Sequence, residues 1–346
     1  MQALCKSSSR AGVDLVTSEP PSIAKDELLL KVRRASICGS DMTLYHWNSW
    51  APGRIKTPLI FGHEFCGTVV ETGPEVREVS KGDFVSVESH IFCGECVPCR
   101  NDQKHVCQNL QIIGIDRQGG FAEYARVPAR CAWKHSDAAL QDIGSLMEPL
   151  GNAVYATLIE PVEDQTVLVL GCGPQGLFAI QVARASRARR VIAVEGAPLR
   201  KRLAAQMGAD IVLDPADPDL ASRIRKETQG AGADVVLEMS GSPAAIHLGF
   251  SALRNGGRFT AFGIPPGELK VRWAQDIVFR GLRIHGVAGR LIFKTWETMD
   301  RLLRSKAIDV RPVITHRFSL SDYARAFETM ASPKKECGKV LLEIAP

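Results

Sequence analysis

The stretch VLVLGCGPQGLFAIQVA, Val167 to Ala183, restricts the fold of this chain more than any other. An unbroken apolar run reads as a strand buried on both faces, and the apolar spacing after the glycines reads as a helix. A glycine-rich turn alone is weak evidence, so the context decides. From Val167 to Gly289 the runs RVIAVE, DIVLD, DVVLEMSG, GRFTAFG and LRIHGVAG alternate with the helical patterns LFAIQVARAS, LRKRLAAQM, LASRIRKET and AAIHLGFSAL. That alternation predicts an α/β domain with a doubly wound parallel sheet, placed at residues 151–290.

Within it, Gly171, Gly173 and Gly176 sit between the first strand and the first helix. Glycines there permit a tight turn and close backbone approach to a pyrophosphate, whose charge the helix N-terminus stabilises. Glu195 closes the next strand, nineteen residues after Gly176, where a carboxylate can bond the adenosine ribose hydroxyls. Dinucleotide binding follows. The carboxylate favours NAD over NADP, while Arg200 and Arg202 could accommodate an extra phosphate or be solvated helix residues. Gln175 and Phe262, Gly263 and Ile264 are assigned to the same cofactor.

Residues 1–150 carry short strands broken by Gly and Pro, such as ELLLKVRRASICG, FCGTVVETGPEV and GDFVSVE. They predict a mostly β, partly open barrel-like domain. The tail returns to it through a closing strand in GKVLLEI, so the first domain is expected at 1–150 and 291–346. No apolar run approaches the ~20 residues of a membrane span, and the N-terminus lacks an apolar signal core, so a cytoplasmic protein without membrane contact is expected. The net charge of +5 is spread along the chain, which argues against nucleic acid.

Cys93, Cys96, Cys99 and Cys107 fall within fifteen residues, while the other six cysteines are scattered singly. In a reducing compartment that layout points to metal rather than disulfides. Four thiolates on one loop suit a tetrahedral zinc with no open position, hence a structural one. An iron–sulfur cluster is the alternative, but nothing else in the chain suggests electron transfer. His105 is read as an exposed loop residue, with a ligand role as the alternative. A looser set, Cys38, His63, Glu64 and Glu148, has the residue types of an open zinc site. Taken singly these read as a buried thiol, a core histidine and turn-capping carboxylates.

The combination Cys38-Gly39-Ser40-Asp41, Gly62-His63-Glu64, the four-cysteine lobe, GCGPQG and Glu195 resembles the medium-chain zinc-dependent alcohol and polyol dehydrogenases over essentially the whole chain. Segments such as VESHIFCGECVPCR, MEPLGNAV and HGVAGRLIFKTWETM most resemble the branch that oxidises L-threonine. The resemblance implies a catalytic zinc on Cys38, His63 and Glu64, with Glu148 beside it, and a structural zinc in the lobe. It implies that His90 helps select the substrate, that Arg290 meets its carboxylate, and that the protein is a dimer or tetramer. The implied reaction takes L-threonine and NAD to 2-amino-3-oxobutyrate. One position departs from the pattern: Thr43 stands where the family carries a relay histidine, although Ser40 keeps the hydroxyl. Either the relay runs through His46 and water, or the substrate is a different polyol or amino alcohol. A non-catalytic NAD-binding protein is a remote alternative, having no need of Cys38, His63 and Glu64 together.

Overall fold

Alternation in ELLLKVRRAS buries Leu28, Leu30 and Val32 and makes strand β1 (Glu27–Ser36) the axis of the first unit. The structure, a computed structural model, describes residues 1–344. After β1 come helix α1 (Gly39–His46) and strands β2 (Glu64–Thr72), β3 (Phe84–Val87), β4 (Tyr124–Pro128) and β5 (Ala132–Lys134). Strand β2 pairs antiparallel along one edge of β1, with Ser36 opposite Glu64. Strand β4 pairs with Glu27–Lys31 on the other edge. Strands β3 and β5 continue the sheet beyond β2.

Helix α2 (Met147–Leu158) leads into the second unit. There β6 (Thr166–Leu170), β7 (Arg190–Val194), β8 (Ile211–Leu213), β9 (Ala233–Glu238), β10 (Leu253–Ala261) and β11 (Arg283–Gly286) form one parallel sheet. Its order is β8-β7-β6-β9-β10-β11. The order reverses between β6 and β9, and ligands of such sheets bind at the carboxyl ends of strands at that reversal. Helix α3 (Pro174–Ala185) follows β6. The core is Leu168, Leu170, Ile192, Val236 and a stacked pair, Phe250 and Phe259, with ring centroids 4.5 Å apart. Buried Arg258 donates to the carbonyls of Thr157 and Glu160, satisfying the C-terminal end of α2.

The chain returns later than expected. Residues 291–313, assigned above to the first domain, cluster with the second unit, and the first unit resumes at Ile314. Helix α4 (Lys294–Arg304) has an amphipathic pattern that marks an apolar face without saying which core it joins. Its Trp296 is fully buried, and Asp309 N donates to Gln181 Oε1 of α3 at 3.0 Å, tying the segment to the dinucleotide fold. Residues 334–338 also belong to the second unit, where Arg200 Nε donates to the Cys337 carbonyl. In the first unit, β12 (Ile314–Ser319), helix α5 (Tyr323–Ala331) and β13 (Lys339–Glu343) complete the fold. Strand β13 pairs antiparallel with the end of β1, Leu341 opposite Ser36. Among the described residues no helix is long and apolar enough to cross a membrane.

Candidate active site and metal centres

Cys38 caps α1 in an extended conformation, and its backbone N–H donates to Asp41 Oδ2 at 2.8 Å. His63 follows Gly62, whose φ of +92° and contact with Phe121, 2.4 Å from where a Cβ would sit, admit only glycine. Glu64 opens β2. One ligand atom from each of Cys38, His63 and Glu64 lies within 4.8 Å of the others.

The sheet register holds Glu64 from two sides. Ser36, its cross-strand partner, donates to Oε2, and so does Lys339 from β13. Lys339 Nζ also donates to the Ile37 carbonyl, beside Cys38, at 3.0 Å. Glu64 Oε1 is buried with no hydrogen-bond partner among the described residues, and the same holds for His63 Nδ1, which lies 3.4 Å from Asp41 Oδ1. Burial lowers the affinity of His63 for a proton, but the charges of Asp41 and Cys38 outweigh it and hold the imidazole well above 6.5. Burial raises the Glu64 carboxyl, opposed by the Lys339 ammonium. A buried carboxylate oxygen left without a partner, as Glu64 Oε1 is, is costly unless something binds it. A zinc ion fits this S, N, O set, which leaves one tetrahedral position open.

Glu148 stands beside the set: its charge acts on Glu64, while it lies outside the ligand cluster. Ser89 Oγ donates to Glu148 Oε1 at 2.6 Å, and His90 adjoins both Ser89 and buried Glu88. Ser40 and Thr43 are half-buried on α1. His46 is not brought to the ligands. It is exposed at the last residue of α1, edge-on to Tyr45, with a helical rise of about 12 Å between it and the cap. Arg290 lies in the second unit, fully buried, with its guanidinium donating to Asn152 Oδ1 at 2.9 Å and its stem over Gly151.

The lobe is a separate construction. Two short turns, Val97–Arg100 and Lys104–Val106, fold the four cysteines together. Sulfur separations are 3.4 Å for Cys93–Cys107, 3.7 Å for Cys96–Cys107 and 4.0 Å for Cys93–Cys99. Disulfides need about 2.05 Å. The edge of a zinc–thiolate tetrahedron is about 3.8 Å, so zinc fits here as well. Backbone N–H groups of Glu95 and Cys96 hold the Cys93 thiol down to about 6, while burial pushes Cys99 up to about 12. His105, expected to be exposed, is buried, and it is not in the ligand cluster.

In the second unit Gly171 has φ +88°, and a Cβ on Gly176 would lie 2.0 Å from the Gly171 carbonyl oxygen, so the loop closes on α3 only with glycine. Gly173 caps α3, Pro174 opens it, and Gln175 Oε1 is buried with no hydrogen-bond partner among the described residues. Glu195 is anchored by backbone alone. Cys172 N donates to Oε2, and Gly196 N and Ala197 N donate to Oε1, each at 2.8 Å. One acceptor direction on Oε2 remains for a ribose hydroxyl. An Arg200 guanidinium nitrogen comes within 3.8 Å of the Cβ direction of Gly173. Phe262 and Gly263 follow β10, their N–H groups donating to the Glu238 carbonyl, and Ile264 is 90% exposed.

Sequence reasoning missed Asp41, Lys339, Glu88 and Ser89 as parts of the site. Asp41 had a signal, an acid at the third helical position after a capping cysteine. Lys339 had a weaker one, a cation opening a closing strand whose next three residues are apolar.

Two family models match the chain: the alcohol dehydrogenase GroES-like domain over residues 24–137 and the zinc-binding dehydrogenase over residues 174–305. An L-threonine 3-dehydrogenase from Bacillus subtilis (strain 168) is 45% identical over 99% of this chain and 98% of its own length. Among solved structures, a zinc-binding dehydrogenase from Sinorhizobium meliloti 1021 bound to NADP is 30% identical, over 99% of this chain and 98% of that one, with a TM-score of 0.90. An alcohol dehydrogenase from E. coli CFT073 complexed with NADH is 28% identical over 99% of both chains, with a TM-score of 0.91.

Proposed function

The chain belongs to the medium-chain zinc-dependent alcohol dehydrogenases, and from that premise we propose that it oxidises the secondary hydroxyl of L-threonine with NAD, giving 2-amino-3-oxobutyrate. The observation that carries this reading is the open donor set of Cys38, His63 and Glu64, with one carboxylate oxygen buried and unpaired and Glu148 beside it. The likeness to threonine-oxidising relatives supports the substrate. Thr43 supports keeping a related polyol or amino alcohol as the second reading, because fold does not fix substrate.

Two zinc sites fit. Cys38, His63 and Glu64 would hold the catalytic ion, and Cys93, Cys96, Cys99 and Cys107 a structural one. When bound, the catalytic ion supplies Lewis acidity that lowers the pKa of the substrate hydroxyl. The protein's own residues do the rest. Glu148 takes the hydroxyl proton, His90 and Arg290 select and orient the amino acid, and the Gly171–Gly176 loop with Glu195 holds the cofactor that receives hydride. A carboxylate at Glu195 repels a 2′-phosphate, which favours NAD. The first unit thus serves the zinc chemistry and the second the cofactor. The exposed edge strand β11, which carries exposed Ile284 and follows exposed Trp273 and Phe279, supports a homo-oligomer, dimer or tetramer, and a cytoplasmic location belongs to the same proposal.

A panel of L-threonine, polyols and simple secondary alcohols, each with NAD and NADP, tests the reading through the appearance of reduced cofactor. L-Threonine with NAD should give the highest kcat/KM. A polyol that outperforms it moves the assignment to the second reading, and no turnover with any alcohol removes both.

A further inference from the structure

A hydroxyl proton released among buried groups needs a way out. Thr43 carries no titratable group, and His46 is exposed at the far end of α1. A chain of close polar contacts leaves Glu148 in another direction. Ser89 Oγ donates to Glu148 Oε1 at 2.6 Å, and His90 Nδ1 lies 3.2 Å from the same Oγ. Glu88 Oε1 lies 3.1 Å from that Nδ1 and accepts the His90 backbone N–H at 2.9 Å. Glu88 and Ser89 are fully buried and Glu148 is 4% exposed. The His90 side chain, 12% exposed, is the member of the chain open to water.

Resting on the dehydrogenase reading above, we propose that Ser89 and His90 carry the alcohol proton from Glu148 to solvent, with Glu88 stabilising the imidazolium in passing. The O–H bond of the alcohol breaks and its proton goes to Glu148. Ser89 Oγ accepts that proton as its own passes to His90 Nδ1. The imidazolium then releases a proton to water, exchange with water restores the starting tautomer of the ring, and the hydroxyl turns back, so that one proton leaves in net. The electron pair of the alcohol C–H bond leaves as hydride to NAD, so each turnover yields one ketone, one reduced cofactor and one proton. A buried carboxylate at 3.1 Å places an opposite charge beside the ring while the proton passes. A hydroxyl between two titrating groups suits the middle position, because it both donates and accepts. Ser89 acts through Glu148 and is a positioning residue in this scheme.

The same contacts could simply brace the segment that leads into the cysteine lobe, so the test separates a proton path from a brace. Ser89→Ala removes the hydroxyl and Ser89→Thr keeps it. With L-threonine and NAD, Ser89→Ala should lower kcat at least tenfold, leave KM within about twofold and raise the solvent deuterium isotope effect. Ser89→Thr should keep at least half of the wild-type kcat. In protein without substrate, the His90 ring nitrogen NMR signals should shift in Ser89→Ala and in Glu148→Gln. Wild-type kcat and isotope effect in Ser89→Ala, a Ser89→Thr no faster than Ser89→Ala, or an unmoved His90 signal would each overturn the relay. Absence of wild-type turnover on any secondary alcohol overturns the dehydrogenase reading itself, a result distinct from all of these.

Discussion

The two cysteine-bearing sites of the first unit are built on opposite plans. The lobe draws every sulfur from one fifteen-residue loop, and four sulfurs complete a tetrahedron. The open site takes Cys38 from a helix cap, His63 from a glycine turn and Glu64 from the head of β2, and it is locked by Lys339, 302 residues beyond Ile37. The lobe is therefore specified locally and closed. The open site is specified by the register of β1, β2 and β13, and it leaves a position for substrate. A local site can lose a ligand and weaken the fold near it, whereas a long-range site can lose one and leave the fold standing without its chemistry.

Ligand deletion breaks that contrast most directly. Cys38→Ser should lower turnover by at least ~10³-fold, since Lewis-acid stabilisation is worth several kcal/mol, while one zinc stays bound and the melting temperature hardly moves. Cys99→Ser should lower the melting temperature by about 5 °C or more and leave the folded fraction active. Metal analysis, calorimetry and turnover on both variants decide the matter. If Cys99→Ser is folded but dead, or Cys38→Ser retains two zinc ions, the contrast is wrong.

Removing Lys339 tests the lock rather than a ligand. Nζ holds Glu64 Oε2 and leaves Oε1 unpaired, and partners of that kind typically set 10–100-fold in metal affinity. Chelator competition on Lys339→Met should show a loss of that size at the open site and none at the lobe. Both ions weakening together would mean that Lys339 supports the fold of the whole unit and not the Glu64 geometry.

A third contrast sets Glu64 against Glu195. Both are buried carboxylates, but Glu195 is satisfied by backbone N–H groups within its own fold, three of them from Cys172, Gly196 and Ala197. Its charge is therefore not cancelled by a side-chain cation at hydrogen-bond distance among the described residues. Glu195→Ala should narrow the ratio of kcat/KM for NAD over NADP by about tenfold, by relieving repulsion of the 2′-phosphate. An unchanged ratio would shift cofactor choice to Arg200, whose guanidinium lies near the loop.

What could be read from sequence follows the same division. The glycine loop, the parallel strands and the four-cysteine lobe are local patterns, and each appears in the fold at the expected residues, although the last strand, Arg283–Gly286, is exposed at the sheet edge and not buried on both faces. Cys38, His63 and Glu64 were visible as motif fragments, but their meeting depends on a turn and two strand registers. Lys339 and Ser36 converge on Glu64 only because Ser36 lies opposite both Glu64 and Leu341. No periodicity carries that pairing. The return to the first unit was misplaced for a related reason: the apolar face of Lys294–Arg304 states that the helix is buried, and tertiary contacts of Trp296 and Asp309 state where. His105 was misjudged because a basic tripeptide gives no sign of its one-turn helix folding inward.

The smallest expected effect separates the two ends of α1. Its first residues belong to the site, through the Cys38 cap and Asp41; its last residue, His46, is exposed and touches Tyr45 edge-on. An exposed side chain whose described ring contact is with Tyr45 alone loses no described contact to the site on truncation, so His46→Ala should leave kcat within about twofold of wild type and stability within about 0.5 kcal/mol. Thr43→His is the companion variant, since it restores an imidazole a turn nearer to the cap. If the proton leaves through Ser89, this change should not raise turnover in the wild-type background but should partly rescue Ser89→Ala. A tenfold loss in His46→Ala would restore the path along α1 and detach Ser89 from the chemistry. Silence in His46→Ala together with rescue of Ser89→Ala by Thr43→His would mean that the site needs one exit for its proton and that this chain has moved it from the helix to the Glu88–His90 segment before the lobe.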